Sequence, residues 1–209
     1  LAEDEVLKQH DFSFLFCKKW VKLFDKYKTY LMTADDKEFL EKPLHYQITK
    51  HIEGVLVGPI IVRMGMSGLF HKYFMEASFN PDEFHKNPQA FEKVLERLAE
   101  LGWFTKQEKN YKFTEEGLFF ARRATSYGVT VSYLPMFAKL NDLLFGSPTK
   151  LREIAEGEDE QHVNREMNVW GSGGAHSTYF KVVDEFIIDI FNRPIEEQPK
   201  GILDMGCGN

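Results

Sequence analysis

The sequence predicts a mainly α-helical chain with one small β-hairpin, and a C-terminal strand that runs into a glycine-rich turn. Three observations carry this. Aromatic and apolar residues recur at three- and four-residue spacing in several long segments. Trp103-Phe104-Thr105 and Tyr111-Lys112-Phe113 are short alternating runs either side of a polar Glu108-Lys109-Asn110 turn. Near the end, Ile202-Leu203 leads directly to Gly206 and Gly208, the start of an α/β unit.

The first element is an amphipathic helix of about 20 residues, with Phe16, Trp20, Leu23, Phe24, Tyr27 and Leu31 as its apolar stripe. Lys18, Lys19, Lys22 and Lys26 lie off that stripe, either as a docking face for an acidic partner such as a carrier protein or as a solvated helix face. After a polar break at Ala34-Asp35-Asp36-Lys37, helical material runs from Leu44 to Phe74, where Gly54, Gly58 and Gly65 permit bends or close helix contacts. Its most apolar part, Val55 to Phe70, contains Pro59 and Arg63 and falls short of the roughly 20 residues that cross a bilayer, so it reads as a buried helix. Asn87 then caps a helix with Pro88 at its first position. Phe91, Val94, Leu95, Leu98 and Leu101 are its buried stripe, and Gly102 ends it. The hairpin follows, and Thr114-Glu115-Glu116 opens another helix through Arg122.

The run Leu98-Ala99-Glu100-Leu101-Gly102-Trp103-Phe104, continued by Tyr111-Lys112-Phe113-Thr114-Glu115-Glu116-Gly117, resembles the winged helix of transcriptional regulators and of small-molecule O-methyltransferases, here at about 87–125. Two functions compete for such a module. A DNA reader needs groove-facing cations or amides on the helix before the wing, and basic side chains on the wing itself. That helix offers Gln89, Glu92, Lys93, Glu96, Arg97 and Glu100, where carboxylates outnumber cations. The wing has Lys106, Lys109 and Lys112 but also Glu108. This favours a dimerisation or substrate-lid role, with DNA or protein binding as the alternative.

A helix from Leu134 to Phe145 opens with Pro135 and closes with Gly146, and turns Phe137, Leu140 and Leu144 towards a partner. The acidic stretch 153–160 reads as an exposed connector. Beyond it, Trp170-Gly171-Ser172-Gly173-Gly174-Ala175-His176 reads as a glycine-rich loop before a helix that starts at Ser177 or Thr178. Free N–H groups at such a start bind anions or carboxylates. His176 is the candidate catalytic group, able to take a proton near neutral pH or to ligand a metal; its alternative is a helix cap or packing residue. Trp170 is either a pocket wall or core. The remaining histidines show no ligand spacing, so no metal site is expected. Phe180, Val183, Ile187, Ile190 and Phe191 are the apolar side of the helix 179–192, which Pro194 ends.

Asp204-Met205-Gly206-Cys207-Gly208-Asn209 resembles the first motif of class I S-adenosylmethionine-dependent methyltransferases, which opens a Rossmann-like α/β core. Physically, glycines at 206 and 208 let backbone amides approach a polar cofactor closely. The resemblance implies that Asp204, Gly206, Cys207, Gly208 and Asn209 contact S-adenosylmethionine, and that Trp170, Ser172 and Tyr179 lie near the acceptor with His176. The implied acceptor is a small molecule or a carrier-tethered acyl chain, as in O-methyltransferases or polyketide-type C-methyltransferases. Leu1 in place of an initiator Met, and the lack of further core strands, suggest a fragment that binds the cofactor weakly or not at all and is inactive alone. Three regions are expected: 1–152 as helical and winged-helix lid, 153–175 as linker and glycine-rich loop, and 176–209 as the first helix and strand of the core.

Composition bounds the rest. The 209 residues are 43% hydrophobic and include 19 Phe, enough for a substantial core. The two cysteines, Cys17 and Cys207, argue against a disulfide framework and for a cytoplasmic protein. A net charge of −6 disfavours a mainly electrostatic grip on nucleic acid, and no membrane span is expected. The apolar face of the last helix, poorly covered in this chain, predicts a homodimer.

Overall fold

The computed structural model describes residues 13–32, 41–154, 160–203 and 205. In chain order the helices are α1 (Phe14–Met32), α2 (Pro43–Met66), α3 (Lys72–Glu76), α4 (Pro81–Phe84) and α5 (Pro88–Glu100). Strands β1 (Phe104–Gln107) and β2 (Asn110–Phe113) follow, then α6 (Glu115–Ala121), α7 (Ala124–Ser132), α8 (Leu134–Phe137), α9 (Leu140–Phe145) and α10 (Arg165–Phe191), with short 3-10 turns at Pro148–Arg152 and Ile195–Glu197.

The expected aromatic stripe of α1 supplies one wall of the core. Phe16, Trp20, Leu23 and Phe24 are buried against α2, whose Leu56, Ile60, Ile61 and Met64 are buried in turn. Trp20 is fully buried, and its Nε1–H donates to the Leu56 carbonyl at 2.8 Å, so the indole loses no hydrogen bond on burial. Pro59 sits inside α2 and is itself buried, a position whose cost in a helix is tolerated only where packing compensates. The stretch 44–74 is not continuous: α2 ends at Met66, and Gly68 turns the chain at φ +91° before α3.

Another part of the same core is almost wholly aromatic. Phe74 meets Phe79 and Phe84 edge-on, Phe79 meets Phe104 likewise, and Phe104 lies 4.5 Å from Phe113 between ring centroids. Edge-to-face contacts of this kind add to the burial of the rings. Phe79 also exchanges two backbone hydrogen bonds with Tyr111, at 2.9 and 2.8 Å, and so adds a one-residue third strand that periodicity did not reveal.

Helix α5 ends as its sequence demands. Gly102 adopts φ +84° and its N–H bonds to Ala99, while Trp103 N–H reaches back to the Leu98 carbonyl, which closes the helix with a left-handed glycine. Its start differs from expectation: the Asn87 side chain makes no cap hydrogen bond, and the Asn87 backbone N–H donates to Nδ1 of His85 at 3.0 Å. The hairpin pairs Phe104 with Phe113 and Gln107 with Asn110, so the turn is Glu108-Lys109, with Asn110 already in the strand. Thr114 then locks hairpin to helix. Its Oγ1 donates to the Gly102 carbonyl at 2.6 Å and accepts from Gly117 N–H at 3.1 Å, the expected cap of α6.

Three further expectations change. The single helix 134–145 is two short ones, broken at Ala138-Lys139, and Leu144 remains 64% exposed. Helix α7 was not foreseen; its hydrophobicity has little periodicity because Gly128 and Ser132 lie on its buried side. Ile202 and Leu203 form no strand and Leu203 is 83% exposed, since a strand needs a ladder neighbour and none lies beside them among the described residues.

Candidate functional site

Residues 165–175, expected as a linker and glycine-rich loop, are the first half of α10. The Asn164 side chain caps it by accepting from Met167 N–H at 2.7 Å, so the helix starts well before Ser177. Asn164 N–H bonds to the Ser132 carbonyl at 2.9 Å, and Asn168 Nδ2 donates to Ser132 Oγ at 2.9 Å, which fixes this end onto α7.

Glycines in a helix cost about 1 kcal/mol each relative to Ala. Here the cost is offset by contact with α7. A Cβ on Gly171 would stand 2.7 Å from the Gly128 Cα, and one on Gly174 would collide with Thr125. No side chain fits at this crossing. Two of the glycines that looked like a flexible loop are therefore contact points on α7, Gly171 against the backbone at Gly128 and Gly174 against the Thr125 side chain, and hydrophobic periodicity carries no record of that.

The expected site residues separate into two groups. Trp170 is half-buried on the packed side, where a Cβ at Gly65 would come within 2.9 Å of its ring, so it serves as core. Ser172, His176 and Tyr179 fall within about 60° of one another on the other side of the helix. Ser172 is half-buried with its Oγ directed to the Val169 carbonyl at 3.3 Å, His176 is exposed, and Tyr179 is 69% exposed with its ring 6.1 Å from that of His176. The side chains of Phe180, Val183 and Phe186 continue this half of the helix and are exposed too, Phe186 at 67%. A helix N-terminus at Ser177 does not exist, because Ser177 lies mid-helix with its Oγ on the Gly174 carbonyl. The anion-binding amides expected there are consumed by the helix.

Asp204, Gly206, Cys207, Gly208 and Asn209 lie outside the described residues. Among the described residues, no three His, Cys, Asp or Glu side chains gather as a metal site, and no helix is long and apolar enough to cross a membrane. A groove of about 200 Å³ between α2, α6 and α7 is lined by Val57, Ile61, Phe120 and Tyr127 with Lys50 at its rim; none of the site residues of α10 borders it.

The wing and its helix are internally paired. Lys106 Nζ lies 3.0 Å from Glu92 and 2.9 Å from Glu96, so the cation nearest to α5 is met by the carboxylates of that helix. Arg97 makes a two-pronged contact with Asp25 of α1, at 3.0 and 3.1 Å, and Lys28 of α1 approaches Glu100 at 3.9 Å. The hydrogen bonds from Arg97 hold the Asp25 carboxyl below its ordinary pKa, and the same contact raises that of Arg97. On the side of α5 that a DNA reader would free for a groove, Arg97 is engaged by Asp25 of α1, and Glu92 and Glu96 by Lys106 of the wing.

Residues 53–147 match the family model described as the AprA winged helix domain, and residues 160–209 match that described as the AprA MT2-like domain. No curated protein matches the chain. The chain thus carries a winged-helix region followed by a methyltransferase-like region.

Proposed function

We propose that this chain is the N-terminal lid, substrate-facing and dimerisation part of an S-adenosylmethionine-dependent methyltransferase that acts on a small molecule or a carrier-tethered acyl chain. One observation carries the reading: the methyltransferase-like match, residues 160–209, takes in both α10 and the Asp204-x-Gly-x-Gly segment. The donor set of that segment, a carboxylate with amides flanked by residues lacking a Cβ, fits the charged amino-acid end of such a cofactor. In this reading Asp204 orients the ammonium, and Gly206, Cys207, Gly208 and Asn209 supply the surrounding backbone. When bound, S-adenosylmethionine provides an electrophilic methyl group on a sulfonium.

The residues of α10 would prepare the acceptor. Ser172 and Tyr179 hold it by hydroxyl contacts, and an imidazole nitrogen of His176 takes the proton from the attacking atom. Trp170 acts from the rear by fixing the helix. No covalent enzyme intermediate is required, and Cys207 is a turn residue. The ion pairs that engage Lys106 and Arg97 with acidic neighbours support a lid over a nucleic-acid reader. A cytoplasmic homodimer completes the reading.

Calorimetric titration of S-adenosylmethionine into the natural full-length polypeptide and into residues 1–209 tests it. Saturable binding to the full-length protein, with weak or no binding to residues 1–209, is the expected result. Absence of binding to both sinks the enzyme reading.

A further inference from the structure

Helix α1 carries five lysines and a single aspartate in a chain whose net charge is −6. Positive charge is concentrated where the protein as a whole is acidic. The aspartate does not neutralise the helix outwards, because the Asp25 carboxylate is occupied by Arg97. The two contacts that join α1 to α5, Asp25 with Arg97 and Lys28 with Glu100, require the helices to run side by side in the same direction. Lys93, one turn before Arg97, is then level with Lys22.

Lys18 and Lys22 stand one turn apart on the side of α1 away from buried Phe16, Trp20, Leu23 and Phe24. Both are exposed, as is Lys93, and none of these three is in an ion pair with a described residue. At the N-terminal end of this row Phe14 and Leu15 are 51% and 48% exposed.

We propose that the outer face of α1, with Lys18, Lys22 and Lys93 as its charges and Phe14 and Leu15 as its apolar end, is a docking surface for an acidic amphipathic helix of another protein. Lysines four residues apart on one helix are roughly 6 Å apart, the spacing of carboxylates at i and i+4 on a facing helix. A phosphate polymer fits less well. It has no use for the exposed apolar end at Phe14 and Leu15. The proposal goes beyond the methyltransferase reading and stands without it.

Fluorescence anisotropy on the full chain tests this with a labelled helical peptide that carries Glu at i, i+4 and i+8 and a Leu pair at the end of the same face. Binding should weaken severalfold as salt rises from about 50 to about 200 mM. Lys18→Glu/Lys22→Glu should lower affinity at least about tenfold, and Leu15→Ser about threefold, with unchanged thermal melts. The paired control is Lys109→Glu/Lys112→Glu on the exposed wing, which should leave affinity unchanged, and a peptide with the same glutamates spread around its helix should bind at least about tenfold more weakly. Equal loss in the wing variant, wild-type affinity in the α1 variant, or equal binding of the two peptides overturns the proposal.

Discussion

Glu108 is the one described residue other than glycine with a positive φ, at 55°, and it sits at the first turn position of the wing. The left-handed region costs an L-residue roughly 1–2 kcal/mol, and glycine escapes that cost at the expense of chain entropy. Glu108→Gly should therefore stabilise the chain by about 0.5–1 kcal/mol in urea unfolding; a loss of stability would show that the Glu108 side chain matters in a way its backbone does not reveal. His176 tests the chemistry. It is exposed, with its ring 6.1 Å from that of Tyr179, so His176→Ala should leave stability unchanged within about 0.5 kcal/mol. Under the proposed function, the same change should cut methyl transfer about 10²- to 10⁴-fold with cofactor affinity intact. Unaltered turnover would remove His176 from the mechanism and leave it a surface residue.

At the scale of elements, the crossing of α7 and α10 is the most demanding contact. Gly171→Ala places a methyl 2.7 Å from the Gly128 Cα, where backbone cannot yield, and should cost about 2 kcal/mol or more. Gly173 lies in the same helix with nothing within 4 Å of its missing Cβ, so Gly173→Ala should stabilise by about 0.5–1 kcal/mol. Opposite signs for two glycines two residues apart would establish a helix crossing; equal effects would return the segment to a loop. The junction of α1 with α5 is electrostatic at its rim. Because Arg97 lowers the pKa of Asp25, the stability from this contact is present above the unfolded carboxylate pKa and is lost as pH falls through the folded one. Arg97→Gln should cost no more than about 1 kcal/mol at pH 7, since the pair is solvent-screened, and the difference from wild type should shrink as Asp25 protonates. Thermal melts across the acid range read this directly.

Across the whole molecule, α10 lies wholly in the methyltransferase-like match yet packs on the winged-helix match. At 27 residues it is about 40 Å long. Its first half is packed on α7, which lies in the winged-helix match, and its second half carries Phe180, Val182, Val183 and Phe186 into the open. An apolar surface of this kind is covered in solution by a partner element or by association. Residues 1–209 should accordingly self-associate with rising concentration in light scattering, and Val183→Lys/Phe186→Lys should abolish it; a clean monomer at high concentration would count against the covered-face argument.

Sequence determined most of what depends on neighbours along the chain. The stripe of α1, the buried character of 55–70, the stop at Gly102, the hairpin and the Thr114 cap all follow from periodicity or from a backbone conformation that few residues adopt. The candidate site was readable only as a set of chemically apt residues. What placed Trp170 in the core and His176, Ser172 and Tyr179 on the opposite face was the docking of α10 onto Gly128 of α7. Glycine in isolation favours loops, because the unfolded backbone gains entropy there. The neighbour that excludes a Cβ at Gly171 and Gly174, and so offsets their cost in a helix, is supplied by the tertiary fold.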